Sequence, residues 1–247
     1  MKTVALVSGG MDSVTMLRLL AGAGDKIHVL AFDYGQRHVK ELEFAKRAAI
    51  MYADSWSIIP VDGVFGFIAG ESSSSLINHD VDIPEGHYAE ESMKATVVPN
   101  RNMILLSLAA GFAIAHDMDG IAYAAHAGDH TIYPDCRELF IKRLRHAIHV
   151  CDWNPPNLWT PFSAISKTDI AALGLDMDIN YETETWSCYK GGEEHCGVCG
   201  TCVERFEALE GAEKVNIFRL RQHIGLIMTQ REKIPPLTNG PDVIKSH

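Results

Sequence analysis

The stretch Lys2-Thr3-Val4-Ala5-Leu6-Val7, followed at once by Ser8-Gly9-Gly10-Met11-Asp12-Ser13, decides the fold. A short apolar run closed by two glycines reads as a buried strand entering a tight turn. After the turn, Val14, Leu17 and Leu20 share one helical face, so a helix is expected from Asp12 to Leu20. Outward from there, a strand is expected over residues 27–32, an amphipathic helix over 38–52 and a third strand over 56–61. Within that second helix Glu43 and Arg47 are spaced for an exposed ion pair. Strand–helix alternation of this kind signifies a parallel sheet with helices on both faces, an α/β fold.

The rhythm breaks between about residues 62 and 98, where glycines, a serine run and Pro84 suggest a lid, a binding loop or a surface insertion. It resumes with a helix over 102–116, a strand over 120–125, a helix over 138–150 and a short strand over 158–162. Ser166 reads as the N-cap of a helix reaching Gly174. A helix over 201–209 and an amphipathic stretch over 215–228 precede a Pro/Gly-rich tail from Pro235, expected to be poorly ordered. The expected division is an α/β domain over 1–185, a cysteine-rich element over 186–210 and a helical segment with tail over 211–247.

Hydrophobic residues make up 47% of the 247 and charged residues 22%, an ordinary globular balance. No apolar run is long enough for a transmembrane helix, and the glycines cut off the N-terminal run before it could serve as a secretion signal. The expected location is therefore cytoplasmic, with no membrane partner. A formal net charge of −10 argues against stable nucleic-acid binding. The basic group Arg137, Lys142, Arg143 and Arg145 reads as one solvated helix face. The amphipathic C-terminal stretch could serve a homodimer interface.

The glycine turn has the chemistry of a phosphate cradle. Glycines let the backbone approach a ligand closely, and the exposed N–H groups of a helix N-terminus favour an anion. The turn also lies at the C-terminal end of the first strand, where open α/β sheets bind ligands. It lacks the lysine of the G-x-x-x-x-G-K-[ST] loop. It resembles instead the SGGxDS motif of the PP-loop enzymes, which split ATP to AMP and pyrophosphate.

Four of the six cysteines crowd together as Cys188-x7-Cys196-x2-Cys199-x2-Cys202. Four thiolates can surround one tetrahedral ion and leave no open position for water, so the set reads as one structural zinc per chain. An iron–sulfur cluster is the rival occupant, and His195 could replace one cysteine.

Other segments join the loop: Phe32-Asp33-Tyr34-Gly35-Gln36-Arg37-His38, Val98-Pro99-Asn100-Arg101-Asn102, Ala127-Gly128-Asp129-His130, Tyr133-Pro134-Asp135-Cys136-Arg137, Ser166-Lys167-Thr168 and Thr185-Trp186-Ser187-Cys188-Tyr189. In this order, from residue 3 to about residue 208, the chain resembles the 7-cyano-7-deazaguanine synthase family of deazapurine and queuosine biosynthesis. The family often has glycine where Asn100 stands and proline where Glu138 follows Arg137.

The resemblance implies a Rossmann-like sheet of the adenine nucleotide alpha hydrolase type and an ATP-dependent ligase that forms a C–N bond. Its small-molecule substrates would be a deazapurine acid, ammonia, and ATP with Mg²⁺. It places Val7, Ser8, Gly9, Gly10, Met11, Asp12, Ser13, Val14, Thr15, Met16 and Leu17 around ATP, with Asp12 nearest Mg²⁺. Arg101, Arg137 and Lys167 become candidates for phosphate or carboxylate charge, and Asp129 and Asp135 for Mg²⁺ or the guanine-like edge. Tyr133 or Phe32 could stack on a ring; Asp135 could instead be an N-cap. Related readings are an enzyme that stops at the amide, one that joins the acid to another amine, and a tRNA-modifying PP-loop enzyme.

Overall fold

Strand β1 (Lys2–Leu6) lies in the middle of the sheet and is buried from its second residue on, Thr3 being satisfied by donating its hydroxyl to Asp25. Its Val4 and Leu6 pack into one apolar cluster, while Ala5 and the following Val7 pack into another. The same alternation runs through β2 (Lys26–Asp33): Leu30 and Phe32 join the first cluster, and Ile27, Val29 and Ala31 the second. Successive side chains of a strand point to opposite faces, so strands with apolar residues on both faces have to be covered on both sides. The computed structural model describes residues 1–69, 74–87 and 91–231.

With β3 (Ser55–Pro60), β4 (Gly120–Ala122) and β5 (Asn157–Trp159) the sheet has the order β3-β2-β1-β4-β5. Every pairing is parallel, with Leu6 opposite Leu30 and Ala5 opposite Ala122. This is the expected Rossmann-like architecture. One face is covered by α4 (Arg101–Ala115) and α5 (Glu138–His149), with Phe65 from α3 (Asp62–Ala69). The other face is covered by α1 (Met11–Gly22), α6 (Lys167–Asp176), α9 (Ile217–Gln230) and most of α2 (Glu41–Tyr52) and α8 (Gly200–Ala212).

The chain steps outward from β1 to β2 to β3, then returns to lay β4 on the opposite side of β1. At such a reversal the loops leaving the two central strands diverge and open a crevice at their C-terminal ends. The SGGMDS loop leaves β1 there, and residues Tyr123 to Asp129 leave β4 there.

Between residues 62 and 98 the described parts are more ordered than composition suggests. They hold α3 and a 3₁₀ turn, Glu91–Thr96, and bury Phe65, Leu76 and Met93 completely. That stretch is core-building, not a bare surface insertion. Residues 70–73, 88–90 and the tail from Pro235 lie outside the described residues. At the start of α4, Asn100 adopts a left-handed backbone with φ 56°, a conformation that favours glycine and tolerates asparagine.

Candidate active site

The loop after β1 is shaped by its own serines. Ser8 N–H donates to Ser13 Oγ at 3.2 Å, Ser13 Oγ donates to Gly10 O at 3.1 Å, and Gly10 N–H donates to Ser8 Oγ at 3.3 Å. Gly9 has φ +92° and lies hard against α2: a Cβ there would meet Glu41 O at 2.2 Å and Ala45 N at 2.8 Å. From the other side, Trp186 N–H donates to Gly9 O at 2.9 Å. Gly10, the N-cap of α1, offers no side-chain cap, which leaves the first amides of the helix able to receive an anion.

Val7, Ser8, Gly10, Met11, Asp12 and Ser13 line the cavity at this crevice. Val14, Thr15, Met16 and Leu17 are absent from that lining: all four are fully buried, Val14, Met16 and Leu17 in the second apolar cluster. Thr15 Oγ1 is engaged at 2.7 Å by Met11 O and by the Tyr181 hydroxyl. A helix turns about 100° per residue, so only its first turn can face a ligand at its tip.

The Ser166 capping box, closed with Asp169, aims the first residue of α6 into the cavity. That residue, Lys167, places its Nζ 2.7 Å from Asp12 Oδ2 and 3.3 Å from Glu204 Oε2. Burial alone would lower the Lys167 pKa, but the Asp12, Glu204 and Asp129 carboxylates outweigh it and keep the ammonium charged well above its ordinary range. Asp12 Oδ1 is buried without a hydrogen-bond partner among the described residues, a vacancy suited to a cation arriving with phosphate.

Asp129 lines the same cavity and accepts a hydrogen bond from His126 N at 3.3 Å. His126 is completely buried; its Nδ1 accepts from Gly128 N–H at 3.0 Å, which puts the ring proton on Nε2. That nitrogen sits 3.5 Å from Asp129 Oδ1 and 3.9 Å from Asp12 Oδ2.

The other end of the cavity is a tyrosine cage around Arg101. The guanidinium lies 5.6 Å from the centre of the Tyr34 ring and 5.9 Å from that of Tyr133, and donates to the Tyr34 hydroxyl at 3.3 Å. Tyr123 and Tyr189 also line this end. Arg101 has no carboxylate partner among the described residues, so a charge-bearing side chain waits in a half-buried site without a counter-ion. Cys136 faces the cavity as a thiol, its pKa pushed up by burial, with the Asn102 amide and the Tyr123 hydroxyl each at 3.4 Å from sulfur.

Two further candidates lie outside the cavity lining. Asp135 Oδ2 accepts from Asn102 N at 3.1 Å, so it caps the first turn of α4, a neighbouring helix and not its own. Arg137 is exposed at the start of α5. Phe32 and Tyr133, the two suggested stacking rings, both reach the cavity.

The four clustered cysteines bring their sulfur atoms within 4.8 Å of one another, a set able to hold a metal ion. Cys188, Cys199 and Cys202 are buried in the first apolar cluster beside Trp186. His195 does not join them: its Nε2 accepts from Ser187 N–H at 3.3 Å and its ring lies 4.3 Å from that of Trp186. None of the six cysteines is in a disulfide among the described residues.

Sequence reasoning missed Glu204, Trp186 as a loop clamp and the cage tyrosines Tyr34, Tyr123 and Tyr189. Tyr34, Trp186 and Tyr189 do stand inside the motif segments, whereas Glu204 carries no local signal.

An SGGMDS loop at the switch point of a parallel sheet, faced by a lysine–carboxylate pair, defines a nucleotide-using α/β enzyme of the PP-loop class. The chain belongs to the QueC family: the model described as "Queuosine biosynthesis protein QueC" matches residues 2–213. It is 49% identical over 209 residues to a 7-cyano-7-deazaguanine synthase of Pseudoalteromonas atlantica, covering 85% of this chain and 94% of that one. It is 49% identical over 212 residues to one of Methanoregula boonei, covering 86% and 95%. An NMN synthetase structure from Francisella tularensis aligns over 98% of this chain and 89% of its own with a TM-score of 0.48 at 14% identity. No helix among the described residues is long and apolar enough to cross a membrane.

Proposed function

We propose that this chain converts 7-carboxy-7-deazaguanine and ammonia to 7-cyano-7-deazaguanine at the expense of ATP. The names of its relatives supply the product. The observation that carries the chemistry is one cavity with the SGGMDS loop and the Asp12–Lys167 pair at one end and, at the other, Arg101 in an aromatic cage with no carboxylate partner among the described residues.

A carboxylate resists ammonia because its oxygen leaves poorly. The loop amides, Ser8 and Ser13 would grip the outer phosphates, and Lys167 would neutralise charge developing near the α-phosphate. Asp12 and Asp129 would hold Mg²⁺, which spreads the phosphate charge when bound. Arg101 would orient the acid, with Tyr34 and Tyr133 against the flat ring. The carboxylate oxygen attacks the α-phosphorus and the bond to pyrophosphate breaks. Ammonia then adds to the acyl carbon, AMP leaves and one proton is lost, giving the amide. Attack of the amide oxygen on a second ATP releases another pyrophosphate. Loss of AMP and the remaining N–H protons leaves the nitrile.

The cysteine set would hold one structural zinc, its four soft ligands leaving no site for substrate. The test is mass spectrometry of products formed from the acid, ammonia and Mg·ATP. Heavy oxygen placed in the substrate carboxylate should reach AMP; label in inorganic phosphate with ADP as co-product would refute the adenylate.

A further inference from the structure

Glu204 occupies the second turn of α8, whose N-cap is Cys199 and whose first turn carries Cys202. It does not line the cavity, whereas Lys167 and Asp12 do, so it stands behind the lysine as seen from the ligand space. Its Oε2 is 3.3 Å from Lys167 Nζ and its Oε1 is 4.0 Å from His126 Nε2. Among the described residues Oε2 makes no hydrogen bond beyond that ion pair, and a carboxylate this shielded from water costs several kcal/mol unless a cation compensates it. The lysine therefore has two carboxylates, one at the cavity wall and one behind it.

This geometry bears on how phosphate is received. An ammonium paired only with Asp12 would collapse onto it, and an arriving Mg·ATP would have to pull the pair apart. A second anchor opposite Asp12 holds the ammonium between the two carboxylates, leaving Asp12 able to turn to a cation without releasing Lys167. Resting on the reading that Lys167 faces the phosphates, we infer that Glu204 is a positioning residue that holds Lys167 in place for Mg·ATP. Because α8 begins at the cysteine set, the metal-binding element supplies this anchor.

The experiment is a double-mutant cycle with Glu204→Gln, Lys167→Met and the combination, read as Mg·ATP affinity by calorimetry on the metal-loaded protein, with metal content and near-ultraviolet dichroism alongside. Glu204→Gln should weaken Mg·ATP by about 10- to 100-fold, the scale of one charge-assisted contact, with metal content and fold unchanged. In the Lys167→Met background the same change should have almost no further effect, since residues acting through one another are non-additive. Equal effects in both backgrounds would overturn the proposal, as would unchanged affinity in Glu204→Gln. Glu204→Asp, which keeps the charge, should lose less affinity. Shared loss of metal or of the folded spectrum in both Glu204 variants would assign the residue to holding α8 and also overturn it. A wild-type protein that fails to bind Mg·ATP would sink the functional reading itself, an outcome separate from an additive cycle.

Discussion

Lys167 Nζ lies 2.7 Å from Asp12 Oδ2, a tie between the first turn of α6 and the first turn of α1 across the mouth of the cavity. The two residues are 155 positions apart in sequence. The pair holds both side chains at the cavity wall.

Replacing Asp12 by Asn, or Lys167 by Met, should preserve the fold and lower ATP-dependent turnover by about 10²–10³. Pyrophosphate release measured beside near-ultraviolet dichroism separates the two effects. Wild-type rates in both variants would move the phosphate site away from this loop.

Gly9→Ala should destabilise the protein by about 3 kcal/mol or more, since the new carbon meets backbone at 2.2 Å and the φ of +92° is strained for any other residue. Chemical denaturation provides the measure. A variant as stable as wild type would mean that the loop and α2 separate more easily than their contact implies.

Asp135→Ala should cost about 0.5–2 kcal/mol by uncapping the first turn of α4. Arg101 starts that helix, so the Michaelis constant for the acid should rise more than kcat falls. A fall confined to kcat would instead place Asp135 in the chemistry.

Cys202→Ser should release the bound metal and raise hydrogen exchange around residues 186–205, with the sheet still protected. Metal analysis should find zinc in the parent protein. Iron with inorganic sulfide, or active protein without metal, would refute the assignment.

Alkaline pH should unfold the cavity before its phenols titrate normally. Burial pushes the pKa values of Tyr34, Tyr123 and Tyr189 above their ordinary value. A folded pKa above the unfolded one means the folded state binds more protons in the interval between them. That stability is complete below about pH 10 and is lost as pH rises further. Tyrosinate absorbance and near-ultraviolet dichroism should therefore change together. Phenols that ionise near their ordinary value in folded protein would contradict the burial.

The parts readable in sequence are those whose signals are local. The apolar run of β1, the paired glycines and the Ser166 cap each act within a few residues, and each lies where it was expected. The clustered cysteines were visible for the same reason. Val14 to Leu17 continue the motif along the chain, but the helix carries their side chains into the core, a burial that the motif alone does not signal. The short helix α3 escaped notice because Phe65, flanked by glycine and exposed apolar residues, is its one residue buried completely among those described. Glu204 carries no local signal, and Trp186, though inside a motif segment, gains its role only through Gly9, far away in sequence.

The hydrogen bond from Trp186 to Gly9 also bears on the order of events during synthesis. SGGMDS is synthesised about 170 residues before Trp186, and β1, α1 and β2 can begin to associate soon after it. The loop still lacks one of its walls until the segment around Trp186 has emerged and docked, and Lys167 must arrive as well. A nascent chain thus carries the signature long before it has the cradle. Nucleotide can stabilise the finished protein but cannot select among its early intermediates, which makes ATP a report on completed folding and not a template for it.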